Sequence, residues 1–374
     1  MRRAHLALVW LIVLALISAV SAQVPAVTPE QMADYRAKLA EYNAARAAYQ
    51  VAATPYWATV KAKRAARFAK RRAHQEIVLD DYVLTQPPAY TGPKKPIDPS
   101  STAHEVPVVA DFLQHAAEQF DFVPEKPASE IDFKRAYARV ASAAGLTKDQ
   151  AVRVYAFEAT GNGKYDLEAG REFDPNANAI TTALGYNQLL ATNSVELLAE
   201  EGKQFLDTLK ARAAEASGAK KAALEKKIAT LQKMVAFSKS VRDDWNLHEQ
   251  LAATPKGLGI HALNLDVDIG PLLQTQKLIT SVKFAKARGY SAPLSAAELE
   301  MMNLTGDGNG FDMVTLPQDV RSKVPTSNFF TQSGYEHNPV ARKNNTVAAL
   351  LSATDAVMDR EAQLPGAKDL AAAF

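Results

Sequence analysis

The 374-residue chain contains no cysteine. Disulfides, a thiol nucleophile and cysteine-based metal sites are thereby excluded, and the fold must rest on its apolar core. Net charge is also nearly absent: 43 Lys and Arg face 41 Asp and Glu, a formal +2, so composition makes no general case for nucleic acid as a partner. Apolar and polar residues rarely alternate in the period of a strand, which predicts a mainly α protein. His248, His261 and His337 lack ligand spacing, so no metal and no other cofactor is expected.

The single long apolar run lies at the N-terminus, where Arg2-Arg3 is followed by Ala7 to Val20 and then by Ser21-Ala22 before Gln23. A basic start, a short apolar stretch and small residues at its end read as a secretory signal peptide over 1–22, cleaved after Ala22. The stretch falls a little short of the roughly 18 residues of a spanning helix, so an uncleaved N-terminal anchor is the competing reading. A twin-arginine signal is set aside because the pair lacks its usual flanking pattern. Either way the body of the protein is expected to be secreted or periplasmic.

Residues 23–83 read as a helical, basic extension. Thr28-Pro29-Glu30-Gln31 supplies a cap and a first-turn proline. Tyr35, Tyr42 and Tyr49 recur every seven residues, as on a packed helix face. The run Lys61-Ala-Lys63-Arg64-Ala-Ala-Arg67-Phe-Ala-Lys70-Arg71-Arg72 crowds positive charge. It suits an anionic envelope surface, or it is a solvated face of no specific role. Residues 84–106 are rich in proline and predict a semi-rigid linker. From 107 to 374 the chain reads as one helical domain, with an amphipathic hairpin inserted over about 204–245 and turning at Ser217-Gly218.

Chemistry is concentrated at Glu158, near the end of the apolar-periodic run Ala151-Val-Arg-Val-Tyr-Ala-Phe-Glu158. Cleaving a glycosidic bond needs an acid to protonate the departing oxygen, and apolar neighbours such as Tyr155 and Phe157 raise a carboxyl toward that role. Most glycosidases use a second carboxylate. Asp166, Glu168, Glu172 and Asp174 are the nearby candidates, and spacing singles out none of them. A substrate N-acetyl group that attacks the anomeric carbon removes the need for one.

Glu158 together with Ala183-Leu-Gly185-Tyr-Asn-Gln188-Leu-Leu-Ala-Thr192 resembles the lytic transglycosylase domain of the lysozyme-like superfamily, in which a catalytic Glu ends a helix and Gly-Leu-Met-Gln-Leu follows with a Thr close behind. Ala297-Glu-Leu-Glu-Met301-Met302-Asn303-Leu-Thr-Gly306-Asp-Gly308 is similar in type to that family's Ala-Tyr-Asn-x-Gly segment, and His261-Ala-Leu-Asn264 through Leu272 to Tyr290 resembles the helix leading into it. The resemblance covers roughly Lys148 to Gly310. It implies a lysozyme-like α-helical fold and cleavage of the β-1,4 bond between N-acetylmuramic acid and N-acetylglucosamine in peptidoglycan, leaving a 1,6-anhydro end. It also implies Glu158 as general acid and then base, with Gly185, Gln188 and Asn303 on the sugar. The chain departs from the family at Ala159, where Ser is usual, at Tyr186-Asn187 in place of Leu-Met, and at Met302 in place of Tyr. Tyr186 and Tyr335 are the candidates to replace that tyrosine at the substrate. A non-catalytic peptidoglycan-binding envelope protein and a muramidase-type hydrolase are the alternatives.

Two stretches remain. Thr305-Gly-Asp307-Gly-Asn309-Gly310-Phe-Asp312 has alternating oxygens like a calcium loop but no closing Glu, so a glycine-rich turn is favoured. Pro325 to Asn338 is dense in aromatic and amide groups, as suits either sugar stacking or a loop packed on the core.

Overall fold

The computed structural model describes residues 27–100, 106–159, 161 and 181–374. The N-terminal apolar run with its cleavage site, and Asp166, Glu168, Glu172 and Asp174, lie outside the described residues. The fold is mainly α. Among the described residues no strand occurs, only isolated bridges at Leu184–Leu189 and Pro325–Thr346. No described helix is long and apolar enough to cross a membrane.

The first helix, α1 (Pro29–Arg72), runs unbroken through Pro55. It starts where the sequence places a cap: Gln31 N–H donates to Thr28 Oγ1 and Thr28 N–H to Gln31 Oε1. The described residues form two compact units, one including 27–48 and 91–100 and the other including 49–90 and the described residues from 106 onward. The division thus cuts α1 near Ala48 and leaves the basic half of the helix in the larger unit, whereas composition suggests a break at 84–106.

Within the larger unit that basic half is an internal strut. Ala53, Trp57, Val60 and Arg67 are buried. Lys63 Nζ donates to the carbonyls of Asp80 and Tyr82, and Arg64 to those of Asn328 and Phe330. Arg67 is fully buried, 2.8 Å from Asp312 and stacked over Tyr82. Lys70 pairs with Asp81 and Arg71 with Asp312. The periodicity of the charges reflects these partners; of the run, Lys61 and Arg72 stay exposed.

α3 (Glu130–Ala143), α5 (Ala191–Glu215), α10 (Ala296–Thr305) and α11 (Asp307–Val314) pack around α9 (Gly270–Ala287), which buries Leu272, Leu273, Gln274, Thr275, Leu278 and Ile279 among others. A helix packed among several others needs no polar stripe, which is why its sequence carries little amphipathic pattern. Beside it, α5 (Ala191–Glu215) and α6 (Gly218–Ser238) form the hairpin, turning at Ala216-Ser217. Gly202 lets the two helices close at that point, since a Cβ there would stand 2.5 Å from Val235 Cγ2. Buried Leu224, Leu231 and Met234 make α6 a packing element. Lys227 ties it down through Glu125, Asp266 and Asp268.

Four further helices frame the site. They are α4 (Lys148–Ala159), α10 (Ala296–Thr305), α14 (Val347–Glu361) and α15 (Pro365–Ala373), packed side by side, with α3 (Glu130–Ala143) against α9 and α15. The segment with calcium-like spacing, read as a glycine-rich turn, does turn at Gly306 and then continues as α11 (Asp307–Val314). Its Asp307 accepts from Ser281 Oγ at 2.6 Å and Asp312 holds Arg67 and Arg71, so both carboxylates have protein partners. The stretch from Pro325 is likewise packed: Asn328 and Phe329 are fully buried, and Asn328 bonds both backbone groups of Val83.

Candidate active site

Glu158 sits on the last turn of α4, half-buried, one residue before fully packed Ala159. Asn303, which is 145 positions away in sequence, reaches it from α10 and donates from Nδ2 to Glu158 Oε1 at 3.0 Å. A second carboxyl lies at this point: Glu300, one turn before Asn303 on α10 and completely buried, is within interaction range of Glu158, and neither of its oxygens finds a donor among the described residues. Burial raises the Glu158 carboxyl from the usual 4.5 to about 7, while Glu300 and Asn303 pull it back down. Glu300 is raised well above its usual range by burial and then by the charge of Glu158. An acid that holds its proton near neutrality but has donors ready for its anion can give the proton up and take it back.

The turn at Leu184–Leu189 packs one helical turn below the acid. Tyr186 is fully buried, 4.5 Å between ring centroids from Tyr155 of α4 and flanked by Phe133 and Tyr137. Its hydroxyl donates to Glu130 at 2.5 Å. Tyr186 is therefore a core residue that seats the turn against α4, and its ring faces are taken by protein. Gly185, at φ 82°, leaves room for the side chain of Gln274, which a Cβ would strike. The close approach predicted for a ligand is made by α9. Gln274 in turn accepts from Asn187 N–H at 2.9 Å and donates to Leu184 O and Asn264 Oδ1. Gln188, at φ 44°, folds its amide back onto Gly185 O at 2.9 Å.

Tyr335 lies on α12 (Gln332–Glu336), buried between Trp57 at 5.7 Å and Phe330 at 6.1 Å. It belongs to the cluster that receives α1, and burial raises its hydroxyl. Met302, in the position of the family's tyrosine, is buried where α11 crosses, since a Cβ on Gly310 would collide with its Cα. Of the predicted residues, then, Glu158 and Asn303 are in direct contact, Gly185, Tyr186 and Gln188 form the turn beneath them, and Tyr335 joins a separate cluster.

Glu300 went unsingled in the sequence, yet it leaves a signal there. It interrupts the apolar run Leu299-Glu300-Met301-Met302, and the residues three and four away on either side are Ala296, Ala297, Asn303 and Leu304, none of them basic. A charge on a buried face without a local counter-ion points to a partner elsewhere in the chain. A further carboxyl near neutrality is Glu196 of α5, raised to about 7 by burial, which Lys277 opposes and Glu200, Asp243 and Asp307 reinforce. A cavity of about 750 Å³ beside Arg71, Tyr82, Arg288 and Phe311 includes none of the predicted residues. Among the described residues no cluster of His, Asp and Glu could hold a metal ion. The chain matches no protein-family model, no curated protein and no solved structure.

Proposed function

We propose that the protein is a peptidoglycan lytic transglycosylase of lysozyme-like character that works outside the cytoplasm with Glu158 as its acid and base. The observation that carries this reading is Glu158 at the end of α4, held by Asn303 Nδ2 at 3.0 Å, in a setting where burial raises its carboxyl toward neutrality. Protonated Glu158 donates to the glycosidic oxygen and the C1–O bond breaks, with the N-acetyl oxygen of the sugar closing on C1. The C6 hydroxyl then displaces that oxygen, its proton returns to Glu158, and a 1,6-anhydro end results.

Glu300 bears on the choice between this and hydrolysis. Paired carboxyls of glycosidases stand about 5–9 Å apart, so that the second can reach the sugar or hold a water, whereas Glu300 is within interaction range of Glu158 and fully buried. Glu300 is thereby set aside as the base or nucleophile of a hydrolase, while Asp166, Glu168, Glu172 and Asp174 lie outside the described residues. An anionic surface would meet mainly Lys61 and Arg72 of the basic run.

The test is digestion of purified peptidoglycan by the protein and by Glu158→Gln, with the released muropeptides read by mass. Anhydro-ended products absent from the variant establish the activity; reducing ends would assign a muramidase. No release, with both proteins sedimenting with the wall, would leave a peptidoglycan-binding protein in its place.

A further inference from the structure

The position of Glu300 demands a chemical explanation of its own. Among the described residues neither of its oxygens receives a hydrogen bond from an N–H or hydroxyl group, although the side chain is fully buried. Its close neighbour is the carboxyl of Glu158. Two carboxyls bond to one another only if at least one is protonated, because two bare carboxylates at that range in an apolar surround repel.

Among the described residues no other charge in the neighbourhood competes for that role. On α4, Arg153 pairs with Asp149 and with Asp355 and Asp359 of α14. On α11, Asp307 pairs with Lys277 of α9 and Asp312 with Arg67 and Arg71. On α10 itself Glu298 pairs with Arg321. Among the described residues Glu158 is the only charged group that acts on Glu300, and the Asn303 side chain lowers it in turn.

We propose that Glu300 is the positioning partner of Glu158: a buried carboxylic acid that donates its O–H to the Glu158 carboxylate and so fixes the orientation and proton affinity of that group. Resting on the catalytic reading of Glu158, the consequence for cleavage is direct. When Glu158 passes its proton to the leaving oxygen, its new charge forms opposite a donor already in place, and Glu300 keeps its own proton throughout. Asn303 supplies the second donor from the same helix face. Burial and the adjacent Glu158 charge hold Glu300 well above the ordinary carboxylate range, in keeping with this role.

Carboxyl-carbon NMR titration of the full chain, of Glu300→Gln, Glu300→Leu and Glu158→Gln, run beside pH profiles of peptidoglycan cleavage, tests the proposal. The Glu158 midpoint is expected near neutrality in the wild type and about one pH unit higher in Glu300→Leu, which lacks a donor. Glu300→Gln retains an N–H and moves less. The alkaline limb of cleavage shifts with the midpoint, which a merely structural residue would not bring about. Glu158→Gln lowers the Glu300 midpoint, and this arm together with Glu300→Gln decides the matter if the leucine variant does not fold. A Glu158 midpoint unmoved by either Glu300 substitution, or a Glu300 that ionises in the ordinary carboxylate range, overturns the proposal. Linked titrations without cleavage by any form uphold the pair and refute the lytic reading.

Discussion

Removing the acid is expected to stabilise the protein in neutral and alkaline solution. Glu158 ionises near 4.5 in the unfolded chain and at about 7 in the folded one, so between those values the folded state binds more protons than the unfolded. Stability from this group is complete below about 4.5 and is lost as pH rises through about 7. The shift of about 2.5 units corresponds to about 3 kcal/mol, most of it lost between about pH 5 and about pH 8. Glutamine keeps the shape and still accepts from Asn303 but carries no charge to desolvate. Urea unfolding of wild type and Glu158→Gln across that range should give curves that separate as pH rises, the variant ending about 3 kcal/mol more stable at unchanged m value. Glu196 ionises in the same window in both proteins and cancels in the difference, whereas Glu300, which is raised by the Glu158 charge, is relieved in the variant and adds to its gain. Parallel curves would show that Glu158 is not a buried acid, and the candidate site would lose its foundation.

Asn303→Ala removes a donor to the Glu158 anion; the alkaline limb of cleavage should move upward and the rate at neutral pH fall, up to about a hundredfold, as the acid loses its hold. Gly185→Ala forces a side chain into a positive-φ position and against Gln274, and a loss of about 3 kcal/mol in thermal or urea unfolding is expected from backbone strain plus broken buried hydrogen bonds; a loss below about 1 kcal/mol would mean that the turn relaxes freely. Arg67→Met leaves Asp312 buried with half its compensation and should cost about 3–5 kcal/mol, whereas Lys61→Ala, on the exposed side of the same helix, should change stability by less than about 0.5 kcal/mol. Similar values for the two would contradict the strut.

The helical character was legible in the sequence because caps and apolar spacing are local properties. Thr28-Pro29 marks the start of α1, and of the apolar spacing Leu224, Ile228, Leu231 and Val235 in α6 all but the partly buried Ile228 are buried. The contact of Glu158 with Asn303 could be anticipated only through motif resemblance, since no local rule joins residues 145 positions apart. Tyr186 read as a ligand-facing tyrosine because its neighbours are turn residues, but three aromatic rings and Glu130 converge on it from α3 and α4. The basic run of α1 looked solvated because its counter-ions, Asp81 and Asp312, and the accepting carbonyls near Asn328 are distant in the chain. Glu300 was hidden for the opposite reason: its partner is another acid, and a like-charge pair has no signature in a search for complementary residues.

The strut has a consequence for how the chain acquires its structure. Arg67 waits for Asp312, 245 positions later, and Tyr49 for Glu336, 287 positions later. A chain made from its N-terminus exposes Trp57, Val60 and three arginines of one helix until nearly nine-tenths of its length exists, so the larger unit cannot close progressively from its beginning. Its last fifth acts as a keystone: cutting the chain before Phe311 should release α1 as a basic, apolar-faced helix prone to association, and any factor that shields such a segment during synthesis would raise the yield of folded protein.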